Sequence, residues 1–435
     1  MSARRHVAVI LGGGLTGLCA AQRLEREGFD YRLFEAEDRV GGLCRSEKVD
    51  GFTFDYTGHL LHFTDIRVEE FVRGLVPRNL VRHKRKAWIY TNGSYTRYPF
   101  QRNLFGLPDE LVKECILEYV EAQLDTPRGA GRDFQSWVLR TFGSGIAEHF
   151  MIPYNRKLWL TEPDNLTLDW MGRFVPDTSP VDIIKGAFSS DPEEVGYNAT
   201  FLYPETGGIE ILPNSLAAGL SGVMCGSKAV GVDLRDRAVH FADGSSCRYT
   251  HLLSTIPLPC LLSCIDPLPG ALQRLGERLS SVSVLDVNLG LDIDGLTEKH
   301  WIYVPDPAVP YYRLGFPSSF SSSLAPGGTT SVYAEISYRG VKRWEEEQIV
   351  RDVIGGMRGM GFSVSRSDVL AVNIIDMTHA YVVYDFDREE CLKEIGRFLD
   401  ANGIRSVGRF GSWSYLSMEE SMREGFAAAE SLLQV

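Results

Sequence analysis

The sequence lacks an uninterrupted apolar run of the roughly 18 residues that a membrane-spanning helix requires. Its most apolar stretch, residues 252–265, is broken by Pro257 and Pro259, so we expect no stable membrane insertion. The first residues also show no apolar segment with a cleavage site of the kind that marks a secretory signal. We therefore expect the protein in the cytoplasm.

Cations and paired cysteines are also scarce. The chain has 45 Lys and Arg against 57 Asp and Glu, a formal net charge of −12, which argues against a nucleic-acid partner. None of its eight cysteines belongs to a CxxC pair, so reduced thiols rather than a disulfide framework are expected. The 435 residues, 44% of them hydrophobic, are sufficient for two or three ordered domains.

The N-terminal segment has the pattern of a strand–helix–strand unit. Residues 7–11 form an apolar, β-branched run typical of a strand that is buried on both faces. Residues 15–27 follow a helical pattern that ends at Gly28, and residues 31–35 predict a second strand. This is the framework on which dinucleotide-binding domains are built.

The turn between the first strand and the helix, residues 12–17, fits the GxGxxG dinucleotide-binding pattern. Gly12 permits the tight turn, Gly14 lets the backbone approach a pyrophosphate, and Gly17 permits close packing of the helix on the strand. The helix N-terminus supplies amide donors and partial positive charge for the phosphates. Glu35, which ends the second strand, can accept hydrogen bonds from ribose hydroxyls.

Three further segments favour a flavin dinucleotide over NAD alone. Residues 39–43 read Arg-Val-Gly-Gly-Leu, an R-x-G-G turn that in many flavoproteins passes over the dinucleotide. Residues 228–257 predict a small antiparallel sheet. Near the end of the chain, residues 408–413 precede a predicted helix that begins after Ser417, with Glu420 completing a capping box. The N-terminus of that helix would stabilise negative charge on a reduced flavin.

In this order, the four segments resemble the large family of FAD proteins that includes amine oxidases, protoporphyrinogen oxidase and UDP-galactopyranose mutase. The resemblance implies an α/β fold with a Rossmann-like FAD-binding domain, an inserted helical domain and a mostly antiparallel β-sheet substrate domain. The FAD-binding domain would comprise residues 1–65, 200–270 and 395–435. The mainly helical, uridine-binding domain would comprise residues 66–199, and the sheet domain residues 271–394.

The resemblance also implies which residues contact FAD. His59 follows Gly58 in a glycine–histidine loop beside the flavin, where an imidazole can donate to the reduced ring or adjust its protonation. The expected cofactor-binding residues are Gly12, Gly14, Leu15, Thr16, Gly17, Glu35, Ala36, Arg39, Gly41, Gly42, Leu43, Ser46, Gly58, His59, Val230, Thr255, Arg409, Met418 and Ser421.

The middle of the chain resembles UDP-galactopyranose mutases, most closely those of eukaryotes, over residues 98–101, 145–159, 198–208 and 408–415. This resemblance implies an enzyme that interconverts the pyranose and furanose forms of a UDP-sugar, with UDP-galactose as the expected substrate. A nitrogen of the reduced flavin would attack the anomeric carbon, with UDP as the leaving group and no net redox change. NAD(P)H is a candidate source of the reducing equivalents.

The same resemblance assigns the catalytic and substrate-binding residues. The expected catalytic residues are Arg313, His59 and Arg173. Arg313 matches the family's mobile-loop arginine, and a guanidinium suits a departing diphosphate because it can bind bidentately. Aromatic residues at helical spacing are also common in protein cores, so their spacing alone does not identify a uracil site. The expected substrate-binding residues are Tyr98, Gln101, Phe150, Tyr154, Asn155, Trp159, Asn198, Tyr303, Tyr381 and Tyr415.

Two positions depart from the mutase pattern. Arg173 comes one residue early, and Phe174 occupies the position of the family's second diphosphate arginine. Phe320 stands where the family has a tyrosine, which removes one hydroxyl contact. These differences leave open another UDP-sugar, or a nucleotide sugar with a different base.

Other functions stay open as well. An FAD oxidase or dehydrogenase of the amine or porphyrinogen type is the main alternative, and a catalytically inactive FAD-binding protein is another. His59 and His62 form an HxxH pair, but no third ligand is near them in the sequence, so no metal is expected. The oligomeric state is open, and an oligomer is compatible with the sequence.

Overall fold

A mixed α/β fold is seen in the computed structural model. The predicted α/β class is confirmed, while the division into three domains stays a prediction. Arg173, Phe174 and Asn198 lie outside the described residues. The structure describes residues 7–125, 131–172, 175, 178–189 and 199–434.

The strands build three larger sheets and two short ribbons. In chain order they are β1 (Ala8–Leu11), β2 (Tyr31–Phe34), β3 (Ser46–Val49), β4 (Phe52–Asp55), β5 (Leu80–Lys84), β6 (Ala87–Thr91), β7 (Ser94–Arg97), β8 (Thr200–Pro204), β9 (Val223–Met224), β10 (Ala229–Asp233), β11 (Ala238–Phe241), β12 (Ser246–Arg248), β13 (His251–Ser254), β14 (Ile265–Asp266), β15 (Ser281–Leu291), β16 (Trp301–Tyr303), β17 (Arg313–Gly315), β18 (Thr330–Tyr338), β19 (Val369–Val382) and β20 (Ile404–Ser406).

The helices are concentrated between β7 and β8 and after β19. In chain order they are α1 (Leu15–Arg26), α2 (Ile66–Leu75), α3 (Asp109–Asp125), α4 (Phe134–Ile146), α5 (Ile152–Trp159), α6 (Pro180–Phe188), α7 (Ile211–Ala217), α8 (Leu258–Cys264), α9 (Gly270–Arg278), α10 (Glu346–Gly359), α11 (Arg388–Ala401), α12 (Gly408–Gly411) and α13 (Met418–Leu433). Within the described part of the chain, none of them combines the length and the apolar character that crossing a membrane would need.

A five-stranded parallel sheet forms around β1, in the order β20, β13, β1, β2, β9. All four residues of β1 are buried, as expected for a strand that is covered on both faces. β13 was expected in the small antiparallel sheet, together with β10 to β12. It instead pairs in parallel with β1, because its run of Leu252, Leu253 and Ser254 is buried on both faces.

The seven-stranded sheet has the order β19, β15, β18, β17, β16, β6, β7. All its pairs are antiparallel except that of β16 with β6. β6 and β7 come from the segment that was predicted to be mainly helical. Their hairpin turns at Asn92 and Gly93, which both have positive φ angles, and an Asn-Gly pair is typical of such a turn.

Helices α1 and α13 pack against each other beside the parallel sheet. Glycine permits their close approach, because a Cβ atom on Gly425 would overlap the carbonyl oxygen of Thr16. The predicted cap of α13 is confirmed: the Ser417 hydroxyl accepts from the Glu420 N–H, and the Glu420 carboxylate accepts from the Ser417 N–H. The start of α13 is thereby fixed next to the glycine-rich turn.

Gly17 offers a direct test of this packing. A Cβ atom on Gly17 would overlap the carbonyl oxygen of Gly12, which belongs to the backbone and is not free to move aside. We expect Gly17→Ala to lower the free energy of unfolding by about 1–3 kcal/mol, because the turn or the helix must shift. Chemical denaturation followed by circular dichroism measures this change.

Gly396→Ala is the matched control. Gly396 lies inside α11, and a Cβ atom there would meet no atom within 4 Å. Alanine should therefore leave stability unchanged or raise it by up to about 1 kcal/mol. Equal free energies of unfolding for the two variants would contradict the packing role of Gly17.

Candidate active site

A cavity of about 720 Å³ lies between the parallel sheet and the seven-stranded sheet. One end is lined by the turns that follow β1, β2 and β13, which is the edge where open α/β sheets bind their ligands. The other end is lined by side chains of α5 and of the seven-stranded sheet. Asn155, Arg313 and Tyr415, from three distant stretches of chain, all open onto this one cavity.

The first end is built from two glycine turns in contact. Gly12, with φ at +101°, donates its N–H to the carbonyl of Phe34 at 2.9 Å and so bends the chain after β1. Gly41 donates to the carbonyl of Gly13 at 2.8 Å, and the R-x-G-G turn therefore lies directly on the first turn. The two turns contact each other through their main chains, so a ligand can approach this part of the backbone closely.

The Glu35 carboxylate is fixed at the end of β2. It accepts hydrogen bonds from the backbone N–H of Gly13 at 2.6 Å and of Glu37 at 2.9 Å. A carboxylate has about four lone-pair sites, so Glu35 can still accept from a ligand in the cavity that it lines. A fixed acceptor at this place is suited to the hydroxyls of a ribose.

The N-terminus of α13 opens onto the same end of the cavity. Met418 and Ser421 line the cavity, and the Thr16 hydroxyl donates to the Ser421 carbonyl at 3.0 Å. Arg409 adds a fixed cation, because its guanidinium donates to the carbonyls of Leu416 (2.7 Å) and Ala380 (2.9 Å). The helix dipole and this guanidinium both favour negative charge on a bound group.

His59 lies in the wall between the two ends of the cavity. Burial, together with the positive charges of Arg409 and Arg313, lowers the pKa of His59 to about 4. Its Nδ1 atom is buried and has no hydrogen-bond partner among the described residues. A neutral imidazole with a free ring nitrogen is thus positioned to contact a bound molecule.

Together, these features fit a flavin dinucleotide. The glycine turns suit a pyrophosphate, Glu35 suits a ribose, and the start of α13 with His59 suits a flavin ring that carries negative charge when reduced. The other predicted cofactor residues that line the cavity are Gly14, Leu15, Thr16, Ala36, Gly41, Gly42, Leu43, Gly58 and Thr255.

Four predicted cofactor residues do not line the cavity, namely Gly17, Arg39, Ser46 and Val230. Gly17 packs against the carbonyl of Gly12. Arg39 forms an ion pair with Glu47 and lies 3.7 Å from Glu210. Ser46 is buried and donates its hydroxyl to Asp55 at 2.6 Å. Val230 lies on β10 with 51% of its surface exposed. The side chains of Arg39, Ser46 and Val230 thus lie away from the cavity, and a contact of these residues with the cofactor stays a prediction.

The other end of the cavity has an aromatic wall. Phe150 and Tyr154 are stacked with ring centres 5.3 Å apart, and Tyr303 stands edge-on to Tyr154 at 5.4 Å. Tyr98 packs on Tyr303 at 4.9 Å, and the buried Gln101 also lines the cavity. Flat rings with an amide among them are suited to a planar heterocycle.

Asn155 is one of the predicted substrate-binding residues. In the structure, its Nδ2 donates to the Met151 carbonyl at 2.8 Å, and its Oδ1 accepts from the Trp159 indole at 3.1 Å. Both partners lie one helical turn away from Asn155. The amide lines the cavity, but its first function is to hold Trp159 in place.

Trp159, Tyr381 and Tyr415 form a second group of rings, with centres 5.7 to 6.1 Å apart. The guanidinium of Arg409 lies 4.5 Å from the centre of the Tyr415 ring. This group of rings therefore connects the two ends of the cavity.

Arg313 was matched to the family's mobile-loop arginine, and in the structure it begins β17, directly after the segment that joins β16 to β17. It lies on β17, between β16 and β18, and its guanidinium donates to both oxygens of Glu335 at 2.7 Å. Burial is the largest influence on Arg313 and opposes its charge, but Glu335 together with Tyr381, Tyr333 and Tyr312 raises the pKa of Arg313 well above its usual range. The Tyr312 hydroxyl also donates to Glu335.

Sequence reasoning missed Glu335. An acid inside the apolar run of β18 was an available signal, because a buried carboxylate nearly always has a cationic partner. It also missed Arg45, three residues after the glycine pair. Arg45 lines the cavity, and its buried Nε has no partner among the described residues. The aromatic residues Tyr56, Trp301 and Tyr333 line the cavity as well.

Phe320 does not line the main cavity. Its ring packs against Tyr203 at 5.0 Å and Phe201 at 5.5 Å, in an aromatic cluster behind the wall. The loss of a hydroxyl contact with the substrate at this position stays a prediction. His62 places Nδ1 3.1 Å from the Thr200 carbonyl, and the described residues contain no group of three His, Cys, Asp or Glu side chains that could hold a metal ion.

The lowered pKa of His59 predicts a pH dependence of stability. The unfolded chain takes up a proton near pH 6.5, but the folded protein does so only near pH 4. The contribution of neutral His59 to the free energy of unfolding is therefore fully present above pH 6.5. It is lost as the pH is lowered from 6.5 to 4, and it amounts to at most about 3 kcal/mol. In the FAD-free protein, His59→Gln should show a shallower loss of the free energy of unfolding over this range.

His300→Gln provides the comparison. Burial lowers the pKa of His300 to about 3, so this variant should also lose part of the pH dependence, and the double variant should lose more than either. A slope for His59→Gln equal to that of the unmodified chain would show that His59 is protonated as readily in the folded protein as in water.

Comparison with known proteins agrees with this geometry. Residues 15–393 match the family model described as flavin containing amine oxidoreductase. A crystal structure of reduced UDP-galactopyranose mutase superposes with a TM-score of 0.92 at 27% identity, covering 99% of this chain and 96% of that one. The predicted resemblance to these mutases is confirmed.

Two further relatives show how broad the family is. A putative protoporphyrinogen oxidase from Exiguobacterium shares the fold, with a TM-score of 0.76 at 18% identity and 99% coverage of both chains. Protoporphyrinogen oxidase 2 from Arabidopsis thaliana is 25% identical over 50% of this chain and 48% of its own length. The first curated relatives are matched over about half of their length or less. Because the family model matches most of its length, the chain belongs to the flavin containing amine oxidoreductases.

Proposed function

We propose that this protein is an FAD-dependent mutase that interconverts the pyranose and furanose forms of a UDP-sugar, with UDP-galactose as the expected substrate. The observation that carries the proposal is the single cavity that joins a dinucleotide cradle to an aromatic wall containing Arg313. The overall similarity to a reduced UDP-galactopyranose mutase supports it.

The proposed chemistry divides the work between cofactor and protein. When bound and reduced, FAD supplies a nucleophilic nitrogen for the anomeric carbon of the sugar. The glycine turns, Glu35 and the start of α13 would hold the cofactor in place. His59 stays neutral beside it and can accept or donate one hydrogen bond.

Arg313 would bind the diphosphate that leaves and returns. Glu335 fixes the guanidinium through two of its nitrogens, so Arg313 meets the diphosphate without losing side-chain freedom. Tyr303, Tyr381 and Tyr415 surround it and offer hydroxyl donors that carry no charge. Arg173 and Asn198 are further proposed contacts.

The aromatic wall would hold the uracil ring. Phe150, Tyr154 and Tyr98 offer flat faces, and the buried Gln101 can pair with a heterocycle edge. Trp159, whose indole N–H donates to Asn155, would complete the wall and exclude water from the reacting carbon.

The second candidate is an oxidoreductase of the amine or porphyrinogen type. The family match and the Arabidopsis relative favour it. Three arginines (Arg45, Arg313 and Arg409) and three carboxylates (Glu35, Glu37 and Asp376) line the cavity. Arg313, at the substrate end, suits an anionic substrate better than a protonated amine.

One experiment separates the two candidates. The purified protein, loaded with FAD and reduced with dithionite, should convert UDP-galactofuranose to UDP-galactopyranose, and UDP should perturb the flavin absorption spectrum. No conversion after reduction, together with hydrogen peroxide release from an amine or a porphyrinogen, would favour the oxidoreductase. NAD(P)H as the natural reductant stays a prediction.

Arg313 gives the sharpest test within the mutase. We expect Arg313→Ala to lower turnover by ~10²-fold or more, because charge on the departing diphosphate loses its fixed cation. Retained FAD absorption would show that the cofactor site is intact in the variant. Turnover is measured by separating the two UDP-sugar forms.

Arg366→Ala is the matched control. Arg366 is exposed and forms an ion pair with Glu347 on the surface, at 2.7 Å. Its removal should leave turnover unchanged, because an exposed pair contributes little to stability. Similar turnover for both arginine variants would remove Arg313 from the proposed mechanism.

A further inference from the structure

Two carboxyl groups face each other inside the seven-stranded sheet, next to Arg313. Asp286 on β15 and Glu335 on β18 are directly opposite in the strand register, and neither has any exposed surface. Two carboxylates so close together in an interior of low dielectric constant repel each other strongly. One of the two therefore keeps a proton.

Hydrogen-bond partners decide which carboxyl group is neutral. Glu335 accepts from the Arg313 guanidinium through both oxygens, and also from the Tyr312 hydroxyl, so both of its oxygens are already occupied as acceptors. At Asp286, the Thr57 N–H (3.0 Å) and the Asn288 amide (3.1 Å) both donate to Oδ2. The other oxygen, Oδ1, is buried without a hydrogen-bond partner among the described residues. Oδ1 is thus the place for the proton.

The charges around Asp286 agree with this assignment. Burial and the charge of Glu335 raise the pKa of Asp286 well above its usual range, although Thr57, Asn288 and Arg313 act in the opposite direction. Tyr333, next to it on β18, is itself buried, and burial raises its pKa too, so this phenol stays neutral. No described cation besides Arg313 is among the main influences on Asp286.

Asp286 also connects the two ends of the cavity. Thr57, which it binds, begins the turn that carries Gly58 and His59 to the flavin end. Glu335, which it faces, orients Arg313 at the substrate end. If Asp286 were ionised, two carboxylates would stand behind one guanidinium, and an anionic diphosphate would meet net negative charge.

We propose that Asp286 is a positioning residue that acts as a neutral carboxylic acid: it anchors the His59 turn through Thr57 and leaves Glu335 as the single carboxylate beside Arg313. The importance of Arg313 rests on the proposed function. The protonation of Asp286 does not, because it follows from groups that the chain itself supplies.

Infrared spectroscopy of the FAD-bound protein at pH 8 tests the protonation directly. The difference spectrum between the unmodified chain and Asp286→Asn should contain the carbonyl band of a protonated carboxylic acid. Asp55→Asn is the matched control: burial raises the pKa of Asp55 only to about 6, so no acid band should be lost at pH 8. Absence of the band in the Asp286→Asn difference would overturn the proposal.

Binding of UDP, followed through the flavin spectrum, tests the positioning. Asp286→Asn keeps a neutral acceptor for the Thr57 N–H and should bind UDP within about threefold of the unmodified chain. Asp286→Ala leaves that buried N–H unpaired and should weaken binding by ~10-fold or more. Equal defects in both variants, or none in either, would refute the positioning role.

The outcomes separate this proposal from the proposed function. A chain that binds no UDP in any form contradicts the nucleotide-sugar mutase, yet the infrared band still decides the state of Asp286. If Asp286→Ala does not fold, the infrared result and the affinity of Asp286→Asn remain decisive, because a tenfold loss in the asparagine variant contradicts a neutral acid.

Discussion

The substrate end of this protein depends on a buried ion pair within one sheet. Arg313 on β17 and Glu335 on β18 are cross-strand partners, and Glu335 has no exposed surface. Leaving either charge without its partner would cost several kcal/mol, so the pairing of the strands and the position of the guanidinium stabilise each other. A cation held by strand pairing is already in place before a ligand arrives, whereas a loop would lose entropy on binding.

The flavin end is organised in the opposite way, around backbone and neutral groups. The two glycine turns touch through their main chains, and His59 is held neutral by burial and by nearby arginines. The N-terminus of α13 supplies a partial positive charge without a titratable side chain. The two ends meet at the rings of Trp159, Tyr381 and Tyr415, which line the space between them.

Local patterns predicted the dinucleotide unit well because its rules act over short distances. An apolar run followed by glycines, or a capped helix start, reflects local backbone preferences. These patterns correctly predicted β1, α1, β2 and the cap of α13. The β6–β7 hairpin was missed although its Asn-Gly turn was visible, because the surrounding helical periodicity dominated the interpretation of that segment. The position of β13 depended on burial on both faces, which a short run cannot show.

Composition and local pattern were sufficient to predict the α/β class, the glycine-rich turns and about half of the residues that line the cavity. The partners of these side chains were visible only in the folded chain. In the folded chain, Asn155 accepts a hydrogen bond from Trp159, Arg39 pairs with Glu47, and Arg313 on β17 pairs with Glu335. The physical reason is that side-chain pairing depends on strand register and burial, which join residues far apart in the chain, whereas turns and caps depend on neighbours within a few residues.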